Sequence, residues 1–271
     1  QIDRILHGEE LQIMEHCCEG EFAVLATSID KMVQRMLEQQ SILQKEKVFL
    51  ADSMADISHQ MKTPLTSISL LLNLLQEEHL SEKKRLQYVQ DLMKLTGRID
   101  WMVYALLRLA KLDAGTVQLQ QVPYQIEDLI KAAVTPLEIA LDIRDITLEV
   151  QMQPDLQHRG DISWMTEAVS NILKNCMEHT PSGGHIRIVT KDNPLYLLIK
   201  ITDSGSGFTK QDLPHIFERF YRGQNADTDS VGIGLALAKR IIIAQNGTIR
   251  AYNHKKDGGA VFEIRMYKGA V

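Results

Sequence analysis

Cysteine is scarce in this chain: three residues in 271, namely Cys17, Cys18 and Cys176. Two are neighbours and none forms a CxxC pair, so neither a disulfide framework nor a zinc site is indicated, and a reducing compartment fits best. Positive charge is never concentrated. Thirty Lys and Arg stand against 35 Asp and Glu, for a net charge of -5 and a pI near 6.0. With no basic block, a nucleic-acid binder that works by phosphate neutralisation is excluded. No uninterrupted apolar run approaches the roughly 20 residues that cross a bilayer as a helix, and nothing at the start resembles a signal peptide. The chain opens on Gln1, not Met, inside a patterned segment, so a piece of a longer protein is expected. With 44% hydrophobic residues, its length suffices for one full core and a further module.

Heptad spacing is what the first part has in place of long apolar runs. Ile29, Met36, Leu43, Leu50 and Ile57 recur every seven residues, with Val33, Met54 and Met61 at companion positions, which predicts a coiled-coil-like helix. Gln40 and Lys47 interrupt the companion series, setting register or allowing the helices to shift. The helix is expected to continue to about Leu75, and Gln76 to Lys84 supply a polar turn. A second helix follows, with Tyr88, Leu92, Leu95, Ile99, Met102, Leu106 and Leu109 in alternating steps of four and three. Two such helices make an antiparallel hairpin. A single hairpin has too little core of its own, so pairing of two copies into a four-helix bundle is expected.

After Asp113-Ala114-Gly115 the pattern changes. Strands are predicted at Val117 to Val122, Ile146 to Met152, Ile186 to Thr190, Leu195 to Thr202, Thr248 to Tyr252 and Val261 to Met266. Helices are predicted near Ile126 to Leu141, Ser163 to Glu178 and Leu235 to Ala244. The fold class is therefore α+β: a helical hairpin, then an α/β sandwich with helices over one face of a mixed sheet.

Four sites stand out in order. His59 lies two residues from both Ile57 and Met61, about 200° around a helix from each, so it points away from the apolar stripe. An exposed helical histidine is usually incidental. Here, however, Pro64, one of only 7 prolines, deprives the Gln60 carbonyl of its helical donor and bends the helix beside His59. No metal-ligand cluster surrounds His59 in sequence, and a neutral imidazole nitrogen is a nucleophile towards phosphorus. Asn171 and Asn175, four apart on the edge of an apolar helix, read plainly as a solvated polar face. Yet Mg²⁺ needs only one or two protein oxygens beside substrate phosphates, and Asn175 is the preferred ligand, with Asn171 at the phosphates. Asp203 ends a hydrophobic strand, where its carboxylate can accept from an exocyclic amine, and Gly205 and Gly207 follow in a loop that admits a planar ring. Gly232, Gly234 and Leu235 open an apolar helix, where backbone N–H groups and the helix dipole attract phosphate. Neither a GxGxxG nor a Walker lysine is present. Between the glycine clusters, Phe217, Phe220 and Tyr221 are expected to dock as anchors when nucleotide binds, and Gly223 to Ser230 are expected to form a lid.

Taken together, these motifs resemble the H, N, G1, F and G2 boxes of the sensor histidine kinases of two-component signalling, in order and spacing, over essentially the whole chain. The resemblance implies His59 as phosphoacceptor, Asn175 as Mg²⁺ ligand and Asp203 as adenine contact. Asn171, Gly205, Gly207, Gly232, Gly234 and Leu235 then line the nucleotide, with Phe217 and Phe220 anchoring the lid. It implies ATP and Mg²⁺ as cofactors, a GHKL-type (Bergerat) ATP-binding fold, a homodimer, and a response regulator receiver domain as partner. Residues 1 to about 38 resemble the end of a HAMP relay, carried by Ile2, Ile5 and Gly8, then Glu19-Gly20-Glu21-Phe22 with Leu25, Ile29 and Met32. Residues 39–114 correspond to the dimerisation and phosphotransfer hairpin, and 115–271 to the catalytic ATP-binding domain. Since such relays normally follow a transmembrane segment, the resemblance places the whole protein in a bacterial cell membrane through an upstream segment, with this part cytoplasmic.

Departures from the family pattern are specific. Relatives carry an acid directly after the histidine, where this chain has Gln60, leaving Gln60 with Thr63 as the proposed phosphatase pair. Glu178 stands where many relatives have Lys or Arg near the phosphates, and His179 where an aromatic ring stacks on adenine. Compensating charge is expected from Arg219, Arg222 or Lys174. Ala236 and Ala260 replace a glycine and a hydroxyl, and weaker nucleotide affinity is expected. Autophosphorylation of His59 and transfer to a regulator aspartate is the expected activity. The rivals are a hydrolytic GHKL ATPase, whose relatives place a water-activating Glu where Asn171 stands, and a non-catalytic regulatory or phosphatase dimer.

Overall fold

The structure is a computed structural model, and it describes residues 21–77, 80–223, 231–254 and 258–268. The relay positions Ile2, Ile5, Gly8, Glu19 and Gly20 and the expected lid residues 224–230 lie outside the described residues. The chain divides into two compact units, 1–59 and 60–271. Helix α1 (Glu21–Leu75) begins in the first and ends in the second. In the first unit the heptad positions Ile29, Met36 and Leu43 are exposed by 40%, 64% and 54%. An apolar stripe left in solvent within one chain is a surface without its packing partner.

In the second unit α1 runs through Pro64 without ending. Its hydroxyls bond back along the same stretch, Thr66 to the Lys62 carbonyl at 2.8 Å and Ser67 to the Thr63 carbonyl at 3.2 Å. Such back-bonding loosens and bends a helix. Helix α2 (Glu82–Asp113) buries Met102, Ala105, Leu109 and Leu112. It stops at Gly115, which adopts φ +63° and donates to the Leu112 carbonyl at 3.2 Å. The left-handed conformation of that residue closes the helix end cheaply only for glycine.

The α/β part follows in the order β1 (Val122–Gln125), α3 (Ile126–Val134), α4 (Glu138–Ile143), β2 (Thr147–Gln151), β3 (Gln157–Gly160) and α5 (Ile162–His179). It continues with β4 (His185–Asp192), β5 (Tyr196–Asp203), α6 (Gly234–Ala244), β6 (Gly247–Asn253) and β7 (Ala260–Tyr267). Five strands form one sheet in the order β2-β4-β5-β7-β6, with β2 and β4 parallel and the other pairs antiparallel. Along β5 burial alternates strictly, and Leu197, Ile199 and Ile201 stand opposite Met266, Ile264 and Phe262 of β7, respectively, in a fully buried layer. Helices α3, α5 and α6 bring their apolar stripes to the same core. This is the expected mixed sheet with helices on one face.

Two expectations fail here. Residues 117–121 form no strand, and only Val122 enters a ladder. The partner of β1 is β3, a four-residue strand of sequence Gln-His-Arg-Gly in a separate two-stranded sheet. Such a polar strand carries no β-propensity signal and exists because Tyr124 and His158 pack edge to face, 6.0 Å apart. The single helix expected over 126–141 is broken by a 3₁₀ turn at Thr135–Leu137. Pro136 has no N–H to continue the helical ladder.

Candidate functional site

Helix α5 starts on Asp161, whose Oδ1 accepts from the N–H groups of Ser163 (3.1 Å) and Trp164 (3.3 Å) while Oδ2 accepts from Gln120 (3.2 Å). Gln245, which follows the last residue of α6, holds the same residue, accepting from its N–H at 2.7 Å and donating to its carbonyl at 3.2 Å. The helix is thus capped and tied to the sheet before it delivers Asn171 and Asn175 to the site. Its buried stripe is Met165, Ala168, Val169, Ile172, Leu173, Cys176 and Met177, which leaves both asparagines half-buried on the adjoining edge.

A cleft of about 430 Å³ opens beside that edge. Asn171, Asn175 and His179 line it from α5, Asp203 from the end of β5, and Gly207, Arg222, Gly232, Gly234 and Leu235 from the loops and from α6. Nine of the sequence-selected positions therefore converge across some 60 residues of chain. The Asp203 carboxylate is only 3% exposed and is held rigidly: Oδ1 accepts from the N–H groups of Gly205 (2.9 Å) and Ala260 (3.0 Å). Behind it lies Cys176, fully buried. Burial, followed by the Asp203 carboxylate that its S–H faces, pushes this thiol well above its ordinary value, so it stays protonated. Gly234 lies close enough to Asn171 that a Cβ there would stand 3.3 Å from Oδ1. The start of α6 and the asparagine edge of α5 therefore frame one narrow space, with the N–H end of a helix turned to it. Gly232 has φ +74°, and a Cβ on it would come within 2.5 Å of the Tyr221 carbonyl.

Other selected residues lie elsewhere. Gly205 does not line the cleft; a side chain there would strike the His179 carbonyl, so its role is to let the β5 loop close on the end of α5. Phe217 packs on the core through Phe262, with ring centroids 6.5 Å apart. Phe220, at φ +61°, donates from its N–H to the Gly232 carbonyl at 2.9 Å. Tyr221 donates to Asp212 at 2.7 Å. The three aromatic anchors thus pack on the core and on the loops around it. Arg219 leaves the cleft altogether and pairs with Asp113 at the end of α2, where Arg240 also binds at 2.8 Å. In the second unit Gln60 is half-buried and Thr63 exposed, and neither lines the cleft; His59, in the first unit, is exposed.

Sequence reasoning missed two contributors. Asp212, buried, lines the cleft and is fixed by Thr209, whose Oγ1 accepts from its N–H at 3.0 Å. The Thr-x-x-Asp spacing was the available signal. Lys94, Arg98 and Trp101 of α2 form a second wall, and they read in sequence only as the polar face of an amphipathic helix. Among the described residues no group of three or more His, Cys, Asp or Glu side chains is placed to hold a metal. A divalent ion at Asn175 would therefore need phosphate oxygens to complete its shell, the usual habit of Mg²⁺.

Residues 160–269 match the family described as histidine kinase-, DNA gyrase B-, and HSP90-like ATPase, and residues 50–115 match the His Kinase A (phospho-acceptor) domain. The heme sensor protein HssS of Staphylococcus saprophyticus is 28% identical over 98% of this chain and 55% of its own length. Sensor protein SphS of Synechococcus elongatus is 32% identical over 78% of this chain and 53% of its own. The chain thus spans about half the length of these curated relatives. Among solved structures, histidine kinase ThkA in complex with response regulator protein TrrA shares the fold, with TM-score 0.68 at 18% identity over 86% of this chain and 66% of that one. No helix among the described residues is long and apolar enough to cross a membrane.

Proposed function

This chain belongs to the sensor histidine kinases of two-component systems, and from that premise we propose that it phosphorylates its own His59 from ATP and passes the group to an aspartate of a response regulator receiver domain. One observation carries the reading: Asn171, Asn175, Asp203, Gly207 and Gly234, distant in sequence, frame a single cleft at the start of a helix. Asp203 would accept from the adenine amine. The N–H groups opening α6 would meet the phosphates, and the Asn175 amide oxygen would hold Mg²⁺. Bound there, the ion would neutralise phosphate charge as the terminal P–O bond breaks.

In the transfer, the ring nitrogen of His59 that carries no proton supplies the electron pair for a new P–N bond, the bond to the ADP oxygen breaks, and the proton on the other ring nitrogen passes to water. With Gln60 in place of an acid beside it, His59 attacks without a neighbouring carboxylate base. The phosphohistidine bond is then broken by a carboxylate oxygen of the regulator. The protein supplies chiefly positioning and charge. Three modules serve this cycle: a relay end and coiled-coil helix over 1–38, a dimerising hairpin over 39–114, and the catalytic domain over 115–271. The exposed heptad residues Ile29, Met36 and Leu43 support a homodimer in which a second copy covers them. Attachment to a bacterial membrane would come through a segment upstream of this chain. Gln60 and Thr63, one helical turn apart, are the pair for regulator dephosphorylation.

Incubation with γ-labelled ATP and Mg²⁺ tests the reading. Acid-labile label is expected on the chain, absent in His59→Gln and abolished in Asn175→Ala. Release of free phosphate with no label on the protein would establish a hydrolytic ATPase instead, and neither product would establish a scaffold.

A further inference from the structure

The charged side chains lining the cleft come from two parts of the chain. The α/β part contributes Lys174 and Arg222 against Glu178, Asp203 and Asp212, a formal balance of -1 among the described residues. Helix α2 contributes Lys94 and Arg98 and no carboxylate, which turns the balance to +1. A triphosphate remains anionic even with a divalent ion on it, and a cleft of negative sign opposes its entry. Among the described residues, the formal sign of the cleft becomes positive only with the two cations of the hairpin.

The placement of α2 is specific. Arg108 pairs with Glu167 of α5 at 3.2 Å, and the Lys174 ammonium lies over the Trp101 ring at 5.3 Å. Both contacts step seven residues along each helix in opposite directions, so α2 runs antiparallel to α5 in one register. Continued by one turn, that register sets Arg98 level with Met177, between Asn175 and His179. Lys94 then lies past the end of α5. Arg98 is half-buried at the cleft wall. Its guanidinium presents donors in a planar fork, a geometry that matches phosphate oxygens.

We propose that Lys94 and Arg98, carried by the phosphotransfer hairpin and not by the ATP-binding fold, are the phosphate-side affinity determinants of this cleft, so that a nucleoside triphosphate binds tightly only while α2 lies along α5. The inference rests on the reading of the cleft as an ATP site. It makes triphosphate affinity a report of how the hairpin is seated. A shift of α2 by one turn would withdraw both cations while leaving the adenine contacts in place.

The test uses the full chain with Mg²⁺, comparing wild type with the double variant Lys94→Ala, Arg98→Ala by competition against a fluorescent ATP derivative. Affinity for ATP should fall about tenfold in the variant, affinity for ADP less, and affinity for adenosine should not change. The charge-preserving pair Lys94→Arg, Arg98→Lys should restore most of the ATP affinity, which separates charge from packing. In wild type, ATP affinity should fall more steeply with added salt than in the alanine variant. ATP affinity within twofold of wild type in the alanine variant overturns the inference, as does an equal loss for adenosine. If the wild-type chain binds no ATP, the ATP-site reading fails and takes the inference with it. If wild type binds ATP and labels His59 while the variant binds equally well, only the inference falls.

Discussion

Asp203→Asn is the substitution that most directly examines how the cleft would choose its base. In the structure Oδ1 already accepts two backbone N–H groups, from Gly205 at 2.9 Å and Ala260 at 3.0 Å. The carboxylate cannot rotate without losing both, so its second oxygen is the acceptor offered to an adenine amine. Asparagine keeps the first oxygen and its two partners, so the loop and the start of β7 stay tied. It replaces the second oxygen with a donor, which meets the amine's own donor. The loss is one hydrogen bond to a charged group, about 1.5–3 kcal/mol, or about a 10- to 150-fold weaker Kd. The assay is a titration of both proteins with ATP and with the purine analogue that lacks the exocyclic amine. Wild type should prefer ATP by that factor, and the variant should show no preference, having lost affinity for ATP alone. An equal loss for both ligands would refute the reasoning, because Asp203 would then act only as a brace for the loop.

Asp161→Ala removes the acceptor of three backbone N–H groups at the start of α5 and should cost about 2 kcal/mol. Thermal unfolding should move down by about 4–8 °C, with Asp161→Asn recovering most of it; a shift below about 1 °C would show the cap to be idle. Burial, followed by the nearby Lys268, lowers His158 from its ordinary value of 6.5. Below pH 6.5 the unfolded chain takes up a proton there that the native state refuses. His158 therefore contributes stability that is present above that pH and is lost as pH falls towards the depressed native value. Denaturant titrations at pH 7.5 and 5.5 should show a smaller pH dependence in His158→Gln, and an unchanged slope would contradict the burial argument.

Much of the fold was legible because periodicity records which side of an element is covered. The stripe Met165, Ala168, Val169, Ile172 and Cys176 is buried as spaced, and the alternation of Leu197, Ile199 and Ile201 places Asp203 at a strand end pointing inward. The glycine, asparagine and aspartate positions were legible for a different reason: each is a poor residue for its local element, kept where the backbone or a ligand needs it. The β1–β3 pair was not legible, since four polar residues gain their order from a contact with Tyr124 and not from their own propensity.

By itself, the sequence determined the helical hairpin with its outward histidine, the strands of the five-stranded sheet with the helices that flank the cleft, and the identity of the residues at the cleft floor. All of these depend on neighbours within a turn or two, which chain chemistry constrains directly. Tertiary structure alone decided which charges meet. Arg219, expected beside the phosphates, binds Asp113, 106 residues away, and Lys94 and Arg98 of a distant helix turn the sign of the cleft. Charged side chains on exposed faces satisfy no periodic rule, because water accepts them at any position. Only the packing of one element against another selects their partners.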